Sequence, residues 1–117
     1  MKDFTGRKVF YYKDHYLKFF EGLNPDVQRK FNWTLQLISS LERVPVKYFK
    51  HISDSSGLYE IRVEVNSDIY RVFCFFDKGK LIILINGFKK KSEKIPRNEI
   101  LLAERIKEQY YHEKEKK

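Results

Sequence analysis

The sequence holds a single cysteine, Cys74, so no disulfide can close within the chain. Set in the apolar run from Ile69 to Phe76, that thiol reads as a small buried hydrophobe rather than a nucleophile. The three histidines, His15, His51 and His112, stand at unrelated spacings and with one cysteine make no zinc pattern. A glycine-rich phosphate loop and a nucleophile elbow are both missing. No apolar run approaches the ~18 residues of a spanning helix, and MKDFTGRKVFYYKDH lacks the uninterrupted apolar stretch of a signal peptide. A soluble, cytoplasmic protein with no metal and no cofactor is the expectation.

What is present is aromatic and basic. The 117 residues are 42% hydrophobic and 16% aromatic, enough for one packed core and one domain spanning 1–117, with 1–7 and 112–117 expected to be loose. The formal charge of +8 favours a polyanionic partner, nucleic acid first and an acidic protein or anionic membrane surface next.

The chain is organised around residues 57–91. Tyr59, Ile61, Val63 and Val65 alternate with Glu60, Arg62 and Glu64, the period of a half-buried antiparallel strand. Asn66-Ser67-Asp68 and Asp77-Lys78-Gly79 supply hairpin turns, so strands over 69–76 and 81–88 complete a meander. Lys8 to Tyr12 is expected to add a further strand. A short helix begins near Asp14, a candidate cap, and a second begins at Asn24-Pro25 and runs to about Arg43. This pair forms a hairpin over one sheet face, with Phe19, Phe20, Phe31 and Trp33 read as core. Residues 47–56 read as a connection, and Pro96 opens a last helix with Ile100, Ala103, Ile106 and Tyr110 along one stripe. The fold class is therefore α+β: an N-terminal strand and helical hairpin on an antiparallel sheet, then a C-terminal helix.

Basic groups from separate segments could meet on this sheet: Lys50 and His51 before it, Arg62 and Arg71 on adjacent strands, Lys89 and Lys91 beyond the third. Cleaving RNA without a metal needs a base, an acid and cations to offset charge on the phosphorane, and arginine and lysine supply the last. Arg71 shares its strand face with Ile69, Phe73 and Phe75, which asks for an anion, either a bound phosphate or a carboxylate of the chain itself. Arg62 is either part of that site or a solvated residue paired with Glu60 or Glu64.

Three stretches, YFKHISDSSGLYEIRV, the Tyr70-Arg71-Val72 step and GFKKKSEKIPRNEILLAERIK, resemble in order and spacing the HigB-like branch of the RelE/ParE superfamily of bacterial type II toxins. The resemblance runs from about Lys8 to Tyr110. It implies a RelE/ParE-like small domain and ribosome-dependent cleavage of mRNA by attack of the 2′-hydroxyl. It also implies a cognate HigA-like helix-turn-helix antitoxin through which alone operator DNA is bound. Arg71 then matches the arginine that contacts the scissile phosphate, Arg62 a basic position on the preceding strand, and Lys89 and Lys91 cationic stabilisers of the transition state. Lys50 and His51 match a basic pair, with His51 a candidate general base, and Lys47, Lys50, Lys90 and Lys94 are expected to hold the RNA. Glu60 departs from the pattern as a partner for Arg62 or an alternative base. Ile95 stands where several members carry a tyrosine, a role left to Tyr59, Tyr110 or Tyr111 if folding brings one close. The same scaffold also admits a ParE-like poison of DNA gyrase without nuclease activity, or an inactive member that binds only antitoxin or RNA.

Overall fold

The computed structural model describes residues 4–90 and 94–116. Along the chain the elements are β1 (Lys8–Tyr11), α1 (His15–Glu21), α2 (Pro25–Ser40), β2 (Phe49–His51), β3 (Leu58–Val65), β4 (Asp68–Phe76), β5 (Leu81–Lys90) and α3 (Arg97–Glu115). The strands form one sheet in the order β1-β5-β4-β3-β2, with β1 parallel to β5 and the other pairs antiparallel. This is the expected α+β fold. The β3–β4 hairpin closes because Asn66 and Ser67 both adopt positive φ, the backbone that a two-residue turn between right-twisted strands requires. The short strand β2 lies within the stretch expected to be a plain connection.

The helix starts differ in how they are capped. Asn24 accepts from the Val27 amide at 3.1 Å with Pro25 in the first turn, as its sequence predicts. Asp14 makes no cap bond and instead pairs with Lys18 one turn on. At its other end α2 stops at Ser40, three residues earlier than expected. Its last carbonyls are taken by Arg7, whose guanidinium donates to Ile38 O at 2.9 Å and Leu41 O at 2.6 Å. Arg7 was expected in a loose leader and is instead a fixed cap.

The sheet has a core on each face. Under α1 and α2, Tyr16, Val27, Phe31 and Ile38 pack on Ile61, Val63, Tyr70, Val72, Cys74, Ile82 and Leu84. Under α3, Ala103 and Ile106 pack on Phe73, Phe75, Ile83 and Ile85. Burial pushes the Cys74 thiol far up, which keeps it protonated. Trp33 is not core: it is 48% exposed on the flank of α2.

One irregularity decides which lysines face which helix. Val72 pairs with Gly87 but Cys74 pairs with Leu84, so two residues of β4 are matched by three of β5. Without this bulge the alternation Ile83, Ile85, 87, 89 would continue on the α3 face. With it, Asn86 and Phe88 turn to α3, while Gly87 turns to α1, where Phe19 covers it so closely that a Cβ would sit 2.5 Å from the ring. Everything after the bulge changes sides.

Candidate functional site

On the α3 face, β3 contributes Glu60, Arg62 and Glu64 and β4 contributes Arg71. Arg62 and Arg71 stand directly opposite one another, which alone would be repulsive. Each is given a carboxylate. Arg71 Nη1 donates to Glu60 Oε2, and both residues are buried, at 6% and 5% exposure. Arg62 Nη2 donates to Glu64 Oε1 at 3.1 Å along its own strand, in a far more exposed pair. The anion that Arg71 asks for is thus supplied by Glu60, and Glu60 belongs to Arg71 rather than to Arg62.

Above the Arg71–Glu60 pair the protein is open. A cleft of about 480 Å³ has these two groups at its floor, Lys50 and Lys94 as exposed cations at its rim, and Ile95 and Ile100 in its wall. Lys50 stands opposite Glu60 across the β2–β3 ladder, which puts its side chain on the same sheet face. Lys90, opposite Ile69, is buried on that face too. A buried ion pair is expensive to desolvate, and its attraction repays the cost only with good geometry and further hydrogen bonds. Placed beneath an aqueous cleft, it holds a guanidinium and a carboxylate where a ligand can reach both.

The other expected site residues lie elsewhere. Lys89 stands opposite Tyr70 on the α1 side, its ammonium 5.8 Å from that ring and 3.4 Å from Asp68. Having changed sides at the bulge, it does not join Arg71. His51 borders the cleft but pairs with Tyr59, and its ring lies edge-on to that ring with centroids 5.1 Å apart. Arg62 and Lys47 line a neighbouring cleft with Lys30, Tyr48 and Glu64. Lys91 lies outside the described residues. Ile100 is the wall residue that sequence reasoning gave to the core stripe alone; its place on the first turn of α3, just after Ile95, is the signal that could have found it.

None of the three tyrosines enters the cleft. Tyr59 stacks on Phe49 on the opposite face, with ring centroids 5.0 Å apart. Tyr110 donates to Asp77 at 2.5 Å and Tyr111 to Phe76 O at 3.3 Å, at the far end of β4 and roughly 20 Å along the strand from Arg71. There Lys114 also donates to Asp77, at 2.6 Å. Burial would raise the Asp77 carboxyl, but the bonds from Lys114 and Tyr110 and the Lys114 and Lys78 charges outweigh it and hold the group below its ordinary value. The Tyr110 hydroxyl is pushed up, first by burial and then by Asp77. Among the described residues no three histidine, cysteine or acidic side chains gather as a metal site, and no helix is long and apolar enough to cross a membrane.

The fold is similar to that of a solved structure of E. coli toxin RelE, a double arginine-to-alanine mutant in the free state. The TM-score is 0.54, with 14% identity over 71% of this chain and 82% of that one. At such identity the likeness is one of fold. No curated protein matches the chain. The pattern of the family described as Phage derived protein Gp49-like (DUF891) matches residues 18–108, from within α1 into the second half of α3 and across the whole cleft. The chain belongs to this Gp49-like, phage-derived family.

Proposed function

We propose that the protein is the toxin of a type II toxin-antitoxin system, HigB-like within the RelE/ParE superfamily, and that it cleaves mRNA on the ribosome. The observation that carries the reading is the buried Arg71–Glu60 pair at the floor of an open cleft rimmed by Lys50 and Lys94. The RelE-like fold and the family membership support it.

In this reading an RNA phosphate enters the cleft and competes with Glu60 for the Arg71 guanidinium, whose fork of donors suits phosphate as well as carboxylate. Glu60 takes the proton of the 2′-hydroxyl. The 2′-oxygen attacks phosphorus, the P–O5′ bond breaks, and a rim ammonium, Lys50 or Lys94, protonates the departing 5′-oxygen. The products are a 2′,3′-cyclic phosphate and a 5′-hydroxyl. Arg71 and the rim lysines offset the phosphorane charge, the work a metal would otherwise do. A carboxylate and two lysines are modest acid–base equipment, so the ribosome supplies the rest by presenting mRNA in position, which is worth several kcal/mol, about 7–11 at its upper reach. The antitoxin is a helix-turn-helix protein of the HigA type whose acidic segment covers the cationic cleft by charge complementarity.

The test is primer-extension mapping of mRNA 5′ ends after brief induction of the parent and of Lys50→Ala/Lys94→Ala. These exposed lysines are better probes than Arg71→Ala alone, which strands a buried carboxylate. The parent should produce new ends inside translated frames that vanish when initiation is blocked, and the double variant should produce them on the order of tenfold more slowly, the equivalent of about 1.4 kcal/mol of transition-state stabilisation. Growth arrest without new ends would move the assignment to a second reading, a ParE-like poison of DNA gyrase. The absence of any tyrosine from the cleft among the described residues favours that reading, and a DNA-damage response would identify it. Normal growth with soluble protein would point to an inactive member of the family.

A further inference from the structure

The neighbouring cleft is built for a different task from that of the Arg71 cleft. Lys30 and Trp33 lie three residues apart on α2, so they share a helix face, and that face is not the one turned to the sheet by Val27, Phe31, Thr34 and Ile38. Trp33 meets Tyr48 edge to face, with centroids 5.5 Å apart at 74°. Tyr48 is fixed in turn because its carbonyl accepts from the Arg62 amide at 3.0 Å, just before β2 begins its pairing with β3. Each ring carries a lysine: Lys30 Nζ is 4.7 Å from the Trp33 ring and Lys47 Nζ 5.0 Å from that of Tyr48. Beside them a cleft of about 320 Å³ is lined by Lys30, Lys47, Arg62 and Glu64. The three cations face one carboxylate, and that carboxylate is engaged by Arg62.

We infer that Trp33 and Tyr48, with Lys30, Lys47 and Arg62, form a stacking site for an unpaired RNA base and its phosphates. A large indole left half exposed, next to a second ring, with one ammonium group over each ring, matches the two halves of a nucleotide. A base takes the ring face, and the lysine it displaces reaches the adjoining phosphate. The exchange favours binding, because an exposed cation–π contact is weaker than a base stacked on an aromatic ring. An acidic peptide would satisfy the lysines and leave the rings uncovered, so nucleic acid is the better fit. That the strand is RNA rests on the toxin reading above; the stacking site itself does not. Glu60 of one cleft and Arg62 of the other are two residues apart on β3, roughly 7 Å, so one strand of RNA can run across both.

Trp33 is the only tryptophan of the chain, so its emission reports on this site alone. The experiment titrates the full chain with a single-stranded RNA of about a dozen nucleotides, at about 50 and 200 mM salt to expose phosphate contacts. A parallel anisotropy series uses labelled RNA, and further arms use DNA of the same sequence and an acidic peptide of similar length. The expected result is saturable quenching by RNA that weakens with salt. Trp33→Ala should weaken binding by roughly 5- to 150-fold, the range for losing one stacked base, while Trp33→Phe retains most of it. Lys47→Glu, at an exposed turn position, should weaken binding without unfolding the chain. Quenching by RNA and DNA alike would keep the stacking site and remove the preference for RNA. Unchanged RNA affinity in both Trp33→Ala and Lys47→Glu would overturn the inference, as would quenching by the acidic peptide alone, which would make the surface a protein interface. Lys50→Ala/Lys94→Ala separates the two readings. If it quenches normally and cuts mRNA on the order of tenfold more slowly than the parent, both sites stand; if it quenches normally and cuts at the parent rate, the cleavage site falls and the stacking site remains.

Discussion

Two carboxylates are buried on the α3 face of the sheet, and they are buried in opposite ways. Asp77, 3% exposed at the end of β4, is enclosed by the last turns of α3 through Tyr110 and Lys114. Glu60, 5% exposed, holds Arg71 beneath an open cleft beside the first turn of the same helix. Among the described residues the face under α1 and α2 buries no carboxylate, and its polar groups there are the Thr34 hydroxyl and those of Tyr16 and Tyr70. A single helix thus closes one polar end of its sheet face and leaves the other accessible. The closed end ties the helix down; the open end keeps charges within reach of solvent at a cost in stability.

The largest expected effect tests the open end. Arg71→Ala leaves Glu60 charged and unpaired in the interior, which should cost about 3–5 kcal/mol in urea unfolding. Removing both charges together, as Glu60→Leu/Arg71→Met, should recover most of that loss, because well-packed apolar residues often replace a buried ion pair without penalty. If the double variant unfolds no later than Arg71→Ala, the pair stabilises the fold in its own right and the contrast with Asp77 is lost. If it is stable and has lost the mRNA cleavage proposed above, the pair is kept for that function rather than for stability.

The closed end should behave as architecture. Asp77→Ala removes two hydrogen bonds to a charged group and should cost about 2 kcal/mol near neutral pH, with no effect on the mRNA cleavage proposed above. Its pH dependence has a definite sign. The folded carboxyl is held below its ordinary value, so its contribution is fully present above the unfolded pKa of about 3.9 and is lost as pH falls through the lower, folded value. Stability curves of the parent and Asp77→Ala should therefore converge in acid. A gap that stays constant across that window would mean that Asp77 acts through packing rather than charge.

Period and punctuation made most of this fold readable. Tyr59 to Val65 alternates, Asn24-Pro25 caps, and Pro96 opens α3, each through a local physical preference that the tertiary structure does not override. What was not readable depended on distant partners. The three residues of β2 are too few to show a period and become a strand only by pairing with Tyr59, Glu60 and Ile61. Arg7 reads as a loose charge until the end of α2 arrives beside it. The site was half legible for the same reason. The face of Arg71 follows from alternation along β4, but Lys50 joins it only through the β2–β3 pairing, and one extra residue in β5 reverses Lys89 and Lys90. The choice of Glu60 for Arg71 and Glu64 for Arg62 is a diagonal contact between strands and a contact within one, and spacing alone does not choose between them.

A third carboxylate, Glu64, is buried at neither end, and its loss should change stability least. The Glu64 side chain is 52% exposed and pairs with Arg62 across solvent, where such pairs contribute about 0–1 kcal/mol. Glu64→Gln should therefore leave the urea midpoint nearly unchanged. It also removes the one negative charge from the cleft beside Trp33 and releases Arg62 from its partner, so RNA affinity should rise a few-fold, most visibly at low salt. A gain in affinity with no change in stability would mean that Arg62 is a ligand-binding cation restrained by Glu64. A loss of stability above about 1 kcal/mol, with affinity unchanged, would instead make the pair part of the scaffold, as at Asp77.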